Sequence, residues 1–478
     1  MKTRVLAVLI CAAALIFTAC TKNTDAGAAE TAGVVTAARV ETAALLEPLS
    51  PLETGTAGTE TTTPETETDA VTDIETDTET VRETETETEP SVLSYGNACA
   101  SPAFLRFLND NYGGAGDVIK ESISNGTFDG GLYYTLTGKS VYVLFDEYEG
   151  KTYKKLKEVS ASDGGVIDLG FCGDIMFCDK KNAMERYVSY GGDINALIPA
   201  DLIEIMKSYD VLLANNEFCV SERGEAQNKS FTFRGKPENL ALYHQIGVDF
   251  VSTANNHIYD YGLDAFLDTL DALDEYGIDN AGAGRNISEA SEPFIYVING
   301  RKIAVLCGSR AEKNLKTPLA DGDTAGVFGI YDDADMINAV KKASGECDFV
   351  IILAHWGEEF STEVEDIIRV QGRRYIDAGA DLIVGAHAHM LQGMEFYNGG
   401  LIAYNLGNFL FGNANVKTGI LQIKIDANDM TFSASFVPCI QDRDHVWQCK
   451  GEEADKVLSF LRSVAPDVKI DGEGNITE

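Results

Sequence analysis

Short apolar runs that end directly in histidine, asparagine or carboxylate side chains constrain this chain more than any other feature. Phe349–Ala354 leads into His355, and Asp381–Val384 leads into Gly385–His389. A similar run, Val248–Ser252, precedes an Asn-Asn-His turn. Because loops at the carboxyl ends of β-strands gather the chemistry of α/β sheets, this order predicts an α/β fold with one polar site.

The histidines in these segments point to a metal site. The chain has six histidines, and four of them lie here: His257, His355, His387 and His389. Imidazole is the commonest side-chain ligand for transition metals, and two histidines two residues apart can both face one site from a turn. Any one of them alone would be interpreted as a hydrogen-bonded structural residue, whereas four placed in this way favour a metal centre.

Two carboxylates follow strands in the same manner. Val166–Cys172 is followed by Gly173 and Asp174, and Val211–Ala214 is followed within three residues by Glu217. A lone acid after a strand is more often a helix cap than a ligand. A buried carboxylate, however, needs a compensating cation. Together with the histidines, these acids predict a hydrolytic centre with two divalent transition metals (manganese, iron or zinc) about 3.5–4 Å apart.

The order of the motifs resembles that of a known family, the bacterial capsule-synthesis CapA proteins. The matching pieces are Gly173-Asp174, Asn215–Glu217, Ala254–Gly262, His355–Glu359, Gly385–His389 and Asn405–Phe409. The resemblance runs from about Val166 to Phe411. It implies an association with poly-γ-glutamate capsules. Because the family is related to calcineurin-like metallophosphoesterases, it also implies their four-layer α/β/β/α sandwich.

Two pieces depart from the wider phosphoesterase pattern. That pattern begins Asp-x-His, whereas this chain has Asp174-Ile175-Met176 and so lacks one expected histidine ligand. The second motif offers Glu217 where an Asp is usual. A branch of bacterial phosphodiesterases also bridges its metals with such a Glu.

The family's pattern assigns the metal ligands as a hypothesis. Asp174 and His389 hold one metal, and Asn256, His355 and His387 hold the other. Glu217 bridges the two metals. A water activated between the metals would attack phosphorus or a carbonyl carbon.

Three further residues receive roles in the same hypothesis. His257 is the candidate general acid, and Asp260 orients it. Arg234 is a candidate for pairing with an anionic substrate, although a surface salt bridge would explain it equally well.

The amino-terminal part of the chain predicts export. A short basic start and an apolar run from Val5 to Phe17 precede Cys20, as in a lipoprotein signal peptide that is cleaved and lipidated at that cysteine. A signal cleaved elsewhere is the alternative. We expect residues 21–93 to be a disordered linker, because Thr alternating with Glu or Asp leaves little apolar surface to bury. The expected location is the outer face of the cell membrane.

The remaining boundaries follow from composition and pattern. The sequence pattern of residues 94–160 predicts a small α+β module. It contains a helix at Ala103–Asn109 and a hairpin of strands at Gly131–Leu136 and Ser140–Phe145. Residues 161–445 are the CapA-like domain, and residues 446–478 are a helical extension and tail. Cys439 and Cys449 could close a loop, although the cysteine spacing does not demand disulfides.

The charge limits the partners. The formal net charge is −37, and no basic patch that could follow phosphates is evident, which argues against nucleic acid. The expected partners are the membrane, an anionic polymer or phosphoester substrate, and other capsule-synthesis proteins. Two alternatives to phosphoester hydrolysis stay open at this point: a non-catalytic polymer-handling or assembly subunit, and a γ-glutamyl amide hydrolase.

Overall fold

The computed structural model describes residues 101–125, 127–128, 131–139, 141–148, 155–311, 316–412 and 415–478, all within one compact unit spanning residues 87–478. The strands in chain order are β1 Leu156–Val159, β2 Val166–Ile175, β3 Val211–Asn216, β4 Cys219–Val220, β5 Arg234–Gly235, β6 Phe250–Ser252, β7 Asp279–Ala281, β8 Ala283–Gly284, β9 Phe294–Ile298, β10 Arg301–Ser309, β11 Gly326–Val327, β12 Phe349–Trp356, β13 Leu382–His387, β14 Met394–Tyr397, β15 Gly400–Ala403, β16 Asn408–Leu410, β17 Val416–Asp426, β18 Phe432–Asp442, β19 His445–Gln448, β20 Lys469–Ile470 and β21 Asn475–Thr477.

The helices fall before and between these strands. They are α1 Pro102–Asn111, α2 Ala115–Ser124, α3 Gly131–Thr137, α4 Val141–Tyr148, α5 Asn182–Ser189, α6 Ala200–Met206, α7 Ala241–Ile246, α8 Gly262–Tyr276, α9 Ile287–Ala290, α10 Ala334–Ser344, α11 Asp366–Asp377 and α12 Glu452–Val464, with 3₁₀ turns at Ile194–Ala196 and Pro237–Leu240. Within the part of the chain that the structure describes, no helix has both the length and the apolar character needed to cross a bilayer.

Two large mixed sheets form the body of the molecule. The first runs in the order β1-β9-β10-β12-β13-β15-β14, and its central strands β10, β12, β13 and β15 are parallel. Asn299-Gly300 joins β9 and β10, which pair antiparallel as a hairpin. The second sheet runs β20-β21-β18-β17-β2-β3-β6-β7, and its strands β2, β3, β6 and β7 are parallel. Parallel central strands place several carboxyl ends at one edge of each sheet.

Apolar side chains of both sheets share one core. Leu169 and Leu421 of the second sheet and Val305 and Ile351 of the first belong to a single buried cluster. Strands buried on both faces contain continuous apolar runs rather than alternating ones, which explains why these segments were visible in the sequence.

Helices cover the opposite face of each sheet. Leu202 of α6 packs in one cluster with Leu212 of β3, and Val340 of α10 packs in another with Ile352 of β12. The fold is therefore a mixed α/β structure that presents large sheets to a common core.

The sheets extend beyond the predicted domain limits of 161 and 445. β1 pairs with β9 in parallel, and β21 pairs with β18. β1 is an edge strand of four residues, and β21 has three residues and lies between β18 and the edge strand β20. They are too short to give a periodic pattern in the sequence, and only their partners define them.

The predicted strands at Gly131–Leu136 and Ser140–Phe145 are wrong, because the structure has helices α3 and α4 there. The predicted helix at Ala103–Asn109 is confirmed as α1. Tyr133 and Leu144 pack with residues of α1 and α2 in a small core of their own. Short apolar runs fit either helix or strand by periodicity, and here tertiary packing decided. The described residues 101–148 are therefore helical, not α+β.

Candidate metal centre

The predicted polar segments meet where the two sheets come together. Asp174 lies near the end of β2, and His387 ends β13 in the other sheet. The backbone N–H of His387 donates to Asp174 Oδ2 at 3.3 Å. His355 is the penultimate residue of β12 and pairs with Ser309 of β10. The carboxyl ends of strands from both sheets thus build one site, as the sequence predicted.

Two groups of side chains at this point can each hold a metal ion. One group is Glu217, His355 and His387, and the other is Asp174, Glu217 and His389. Within each group, one ligand atom per residue lies within 4.8 Å of the others, and all five residues are buried. Because Glu217 belongs to both groups, the arrangement suits two ions that share one carboxylate.

Glu217 tests whether the site fits cations. Its side chain is fully buried, and neither carboxylate oxygen has a hydrogen-bond donor among the described residues. The closest basic atom is His355 Nε2, 3.5 Å from Oε1. Burial, and then the charge of Asp174, raises the pKa of Glu217 well above its ordinary value. A buried carboxylate without a donor is unfavourable unless a cation compensates it, so the residues present fit a metal.

The imidazoles of His355 and His387 are held in the neutral form that binds metals. Burial lowers the pKa of His355 to about 3, and burial with the neighbouring histidines lowers the pKa of His387 well below its usual range. Both rings are therefore unprotonated at neutral pH and offer a nitrogen lone pair. The ring centroids of His355 and His387 lie 4.6 Å apart.

Asp174 and His389 form the charged half of the site. Burial favours protonation of Asp174, but its hydrogen bond with His389 and the charges of His389 and His355 outweigh burial and hold its pKa below the ordinary value. Burial also disfavours the charged form of His389, and the same contact with Asp174 overcomes it and raises the His389 pKa. His389 Nδ1 lies 2.7 Å from Asn408 Oδ1 as well.

An asparagine network orders the ligand side chains. Asn256 Oδ1 lies 2.9 Å from His355 Nε2, next to the group that Asn256 was predicted to join. Asn215 Nδ2 donates to Asp174 Oδ1 at 2.8 Å and lies 3.2 Å from His355 Nδ1. Asn255 Nδ2 in turn donates to Asn215 Oδ1 at 3.2 Å. Such outer partners fix the orientation of metal ligands.

His257 points to a different partner from the other three site histidines. Its Nδ1 lies 2.7 Å from Asp260 Oδ2, and the Phe233 ring packs on the imidazole at a centroid distance of 4.4 Å. Neither of the two candidate ligand groups includes His257. The pairing matches the predicted acid and its orienting carboxylate, although the catalytic role itself stays a prediction.

Backbone geometry at the Gly-x-His-x-His turn is unusual. His387 and His389 both have positive φ angles, 96° and 58°. At Gly385, a Cβ would lie 1.7 Å from the carbonyl oxygen of Tyr404. Left-handed backbone is uncommon for non-glycine residues, and it aims both imidazoles from one short turn.

Arg234 lies beside the site without contacting the ligand groups. Its guanidinium stacks over the Tyr261 ring at 4.0 Å and donates to the Arg223 carbonyl oxygen at 3.1 Å. These contacts fix the side chain near the turn that carries His257 and Asp260. Substrate binding by Arg234 remains a prediction.

Several site residues were missed in the sequence. Lys229 contacts Asp260 and Asn256 from the segment between β4 and β5, and the Phe360 and Phe411 rings pack on His389. The Oδ1 atom of Asn408, which lies in the Asn405–Phe409 piece, contacts His389 Nδ1. A lone lysine in a polar loop gives no signal in a single sequence.

Other predicted features lie elsewhere. The signal peptide, Cys20 and the linker to residue 93 are outside the described residues. The seven described cysteines are free, including Cys439 and Cys449.

A mixed α/β fold with two buried carboxylate–histidine groups at its strand ends defines a candidate metal-binding protein. Residues 168–413 match the family model of the bacterial capsule synthesis protein PGA_cap. The chain belongs to this capsule synthesis family, as the motifs predicted.

Individual relatives agree with this assignment. The chain is 30% identical over 286 residues to the PGA biosynthesis protein CapA of Bacillus subtilis, covering 58% of this chain and 72% of that protein. It is 28% identical over 260 residues to the capsule biosynthesis protein CapA of Bacillus anthracis, covering 53% of this chain and 61% of that protein. A putative 5'-nucleotidase from Staphylococcus aureus, solved in complex with alpha-ketoglutarate, is similar at a TM-score of 0.36 and 12% identity over 62% of this chain and 58% of that one. That likeness is too distant to bear on the chemistry of the site.

Proposed function

We propose that the chain is an exported, metal-dependent hydrolase of the phosphoesterase type that acts in the synthesis or export of a poly-γ-glutamate capsule. The observation that carries the proposal is Glu217, a buried carboxylate that has no hydrogen-bond donor among the described residues and is shared by two candidate ligand groups. Membership of the capsule synthesis family supports the biological setting. The proposed architecture is the α/β/β/α sandwich of metallophosphoesterases.

Each proposed metal has its own ligands. Asp174 and His389 would hold one ion and His355, His387 and Asn256 the other, with Glu217 between them. Carboxylates mixed with imidazoles suit manganese, iron or zinc. Bound there, the ions would supply Lewis-acid activation of water and of the scissile group.

The protein's own residues would handle the proton and the substrate charge. Asp260 orients His257 through Nδ1, which leaves Nε2 as the nitrogen that can give a proton to the leaving oxygen. Arg234 donates one N–H to Arg223, and its remaining N–H groups can bind an anionic substrate. A local cation matters here because the chain's net charge of −37 repels polyanions elsewhere.

Lipidation at Cys20 would tether the protein to the outer face of the membrane, with residues 21–93 as a spacer. One acyl chain binds membranes only marginally, so multiple acylation is needed for stable anchoring. Fractionation of cells that express wild type or Cys20→Ser tests this tether. Equal release of both proteins into the medium would contradict it.

The function is tested on the purified full chain by elemental analysis and by turnover of a phosphoester panel and of poly-γ-glutamate. We expect metal and phosphoesterase activity in wild type and neither in His387→Ala/His389→Ala. His244→Ala/His445→Ala is the matched control, because these two histidines lie outside the ligand groups. Cleavage of poly-γ-glutamate alone would favour a γ-glutamyl amide hydrolase. A metal-loaded protein with no turnover would favour an assembly subunit.

A further inference from the structure

A largely shielded lysine lies at the site, in a segment where no motif predicted one. Lys229 lies on the segment between β4 and β5, and its side chain is only 10% exposed. Its Nζ lies 3.0 Å from Asp260 Oδ1 and donates to the Asn256 carbonyl oxygen at 2.5 Å. Lysine is rarely shielded from solvent to this extent unless it is paired, and these two acceptors are among its partners.

The first acceptor belongs to the carboxylate that orients the proposed acid. Asp260 is fully buried, and its Oδ2 accepts from the Phe233 backbone N–H at 2.7 Å while also contacting His257 Nδ1. Lys229 faces the other oxygen, Oδ1. The carboxylate is thus held from both sides, which leaves the imidazole of His257 little freedom to rotate.

The second acceptor belongs to a proposed metal ligand. The Asn256 carbonyl oxygen receives Lys229 Nζ and also Thr317 Oγ1 at 2.9 Å. The side chain of the same asparagine reaches His355. The ammonium group of Lys229 therefore connects the backbone of Asn256, a proposed metal ligand, to Asp260, the carboxylate that orients the proposed acid His257.

We propose that Lys229 is a positioning residue that fixes the metal ligand Asn256 and the acid His257 relative to each other. This inference rests on the proposed function, because it assigns Lys229 to that same hydrolytic site. Groups that orient metal ligands typically change metal affinity by roughly 10–100-fold when they are removed. Loss of Lys229 should act on both metal binding and turnover.

The test compares Lys229→Met, which keeps the aliphatic stem, with Lys316→Met. Lys316 is a matched control, because its ammonium donates to the Asn228 carbonyl oxygen in the same segment but is exposed. The first readout is the dissociation constant for Mn²⁺ or Zn²⁺, measured without substrate. We expect Lys229→Met to bind roughly 10–100-fold more weakly and Lys316→Met to match wild type.

The second readout is the kinetics at saturating metal on aryl and alkyl phosphoesters. Lys229→Met should lower kcat with little change in KM, and most for the poorer leaving groups. The decrease in kcat caused by Lys229→Met should not add to the decrease caused by His257→Ala, since the effects of substitutions within one contacting network are not additive. Lys229→Arg should recover part of the loss, because it keeps the charge but presents a planar fork. If Lys229→Met does not fold, Lys229→Arg is measured in both assays against Lys316→Arg, with an intermediate loss expected.

Three outcomes would overturn the assignment. Wild-type metal affinity in Lys229→Met would show that Lys229 does not hold the ligand turn. A raised KM with an unchanged kcat would make Lys229 a substrate-binding residue, and a kcat loss that is independent of the leaving group would separate it from His257. If the metal-loaded wild type turns over no substrate, the proposed function fails, and the dissociation constants alone decide the role of Lys229.

Discussion

Two buried charged sites lie at opposite ends of strand β10, and they differ in how their charge is compensated. At the amino end, Lys302 Nζ lies 2.5 Å from Asp146 Oδ2, and the two side chains are 8% and 3% exposed. At the carboxyl end, Ser309 pairs with His355, which faces Glu217. Glu217 is equally buried, yet no described residue donates to it.

The difference separates a structural site from a functional one. The Asp146–Lys302 pair docks the helical module of residues 101–148 against the first sheet, and the chain provides both charges. At Glu217 the described residues donate no hydrogen bond to the carboxylate, and under the proposed function an ion would supply the compensating charge. Buried carboxylates whose pKa is perturbed without a protein partner are therefore candidates for ligand sites.

The largest expected effect is that of Glu217→Gln. The amide keeps the shape but removes the shared charge, so metal affinity should fall by more than the roughly 10–100-fold typical of an outer-shell partner. The metal-free variant should also melt at a higher temperature than metal-free wild type, because an uncompensated buried carboxylate is gone. Elemental analysis and melting curves check both. Full metal content in the variant would show that metal binding does not need the Glu217 carboxylate, and the proposed difference between Glu217 and Asp146 would then be wrong.

His257→Ala tests a second difference, which is between His257 and the proposed metal ligands at the carboxyl end of β10. His257 has a protein partner, Asp260, and lies outside both ligand groups. We expect the variant to keep its metals and its fold while turnover falls by roughly 10²–10⁴-fold. Metal analysis beside steady-state kinetics checks this. Metal loss as complete as in His387→Ala/His389→Ala would make His257 a ligand.

At the amino end, Asp146→Ala should act on stability alone. It removes the carboxylate that faces the buried Lys302 ammonium, and breaking a buried pair typically destabilises by about 3–5 kcal/mol. Asp146→Leu/Lys302→Met should recover most of that loss, since apolar replacement of a whole pair is often neutral. Denaturant unfolding measures both variants. Altered metal content in folded Asp146→Ala would show that the two ends of β10 are coupled.

The smallest expected effect concerns Asp381, which precedes β13 at the same amino end. Its Oδ2 accepts from the Val350 N–H at 2.7 Å, and burial raises its pKa to about 6. The folded protein therefore holds a proton that the unfolded chain has lost above about pH 4. This contribution to stability is lost as pH rises from about 4 to 6.

Asp381→Asn keeps an acceptor for Val350 and cannot ionise. At pH 7 it should be more stable than wild type, by an amount on the order of 1 kcal/mol because the group is partly exposed. Its stability should also change less between pH 4 and 6. Urea unfolding at both pH values measures how the free energy of unfolding changes with pH. An equal change in wild type and Asp381→Asn would contradict the raised pKa of Asp381.

The sequence predicted the parts of the site that follow strong strands. The β12 and β13 runs are continuously apolar because both faces are buried, and the polar residues after them could be placed at the strand ends. Lys229 was not predictable, because its position depends on where a loop between two-residue strands folds back. Helices α3 and α4 were mistaken for strands because their burial depends on packing with α1, which periodicity does not report.

The left-handed backbone at His387 and His389 sets a trade-off between stability and function. Glycine adopts these angles without strain, whereas other residues held in them are destabilised by on the order of 1 kcal/mol. A search for thermostable variants would therefore select glycine at these two positions and remove the two proposed metal ligands. Engineering for robustness should treat this turn as fixed and seek its gains at the amino ends of the strands.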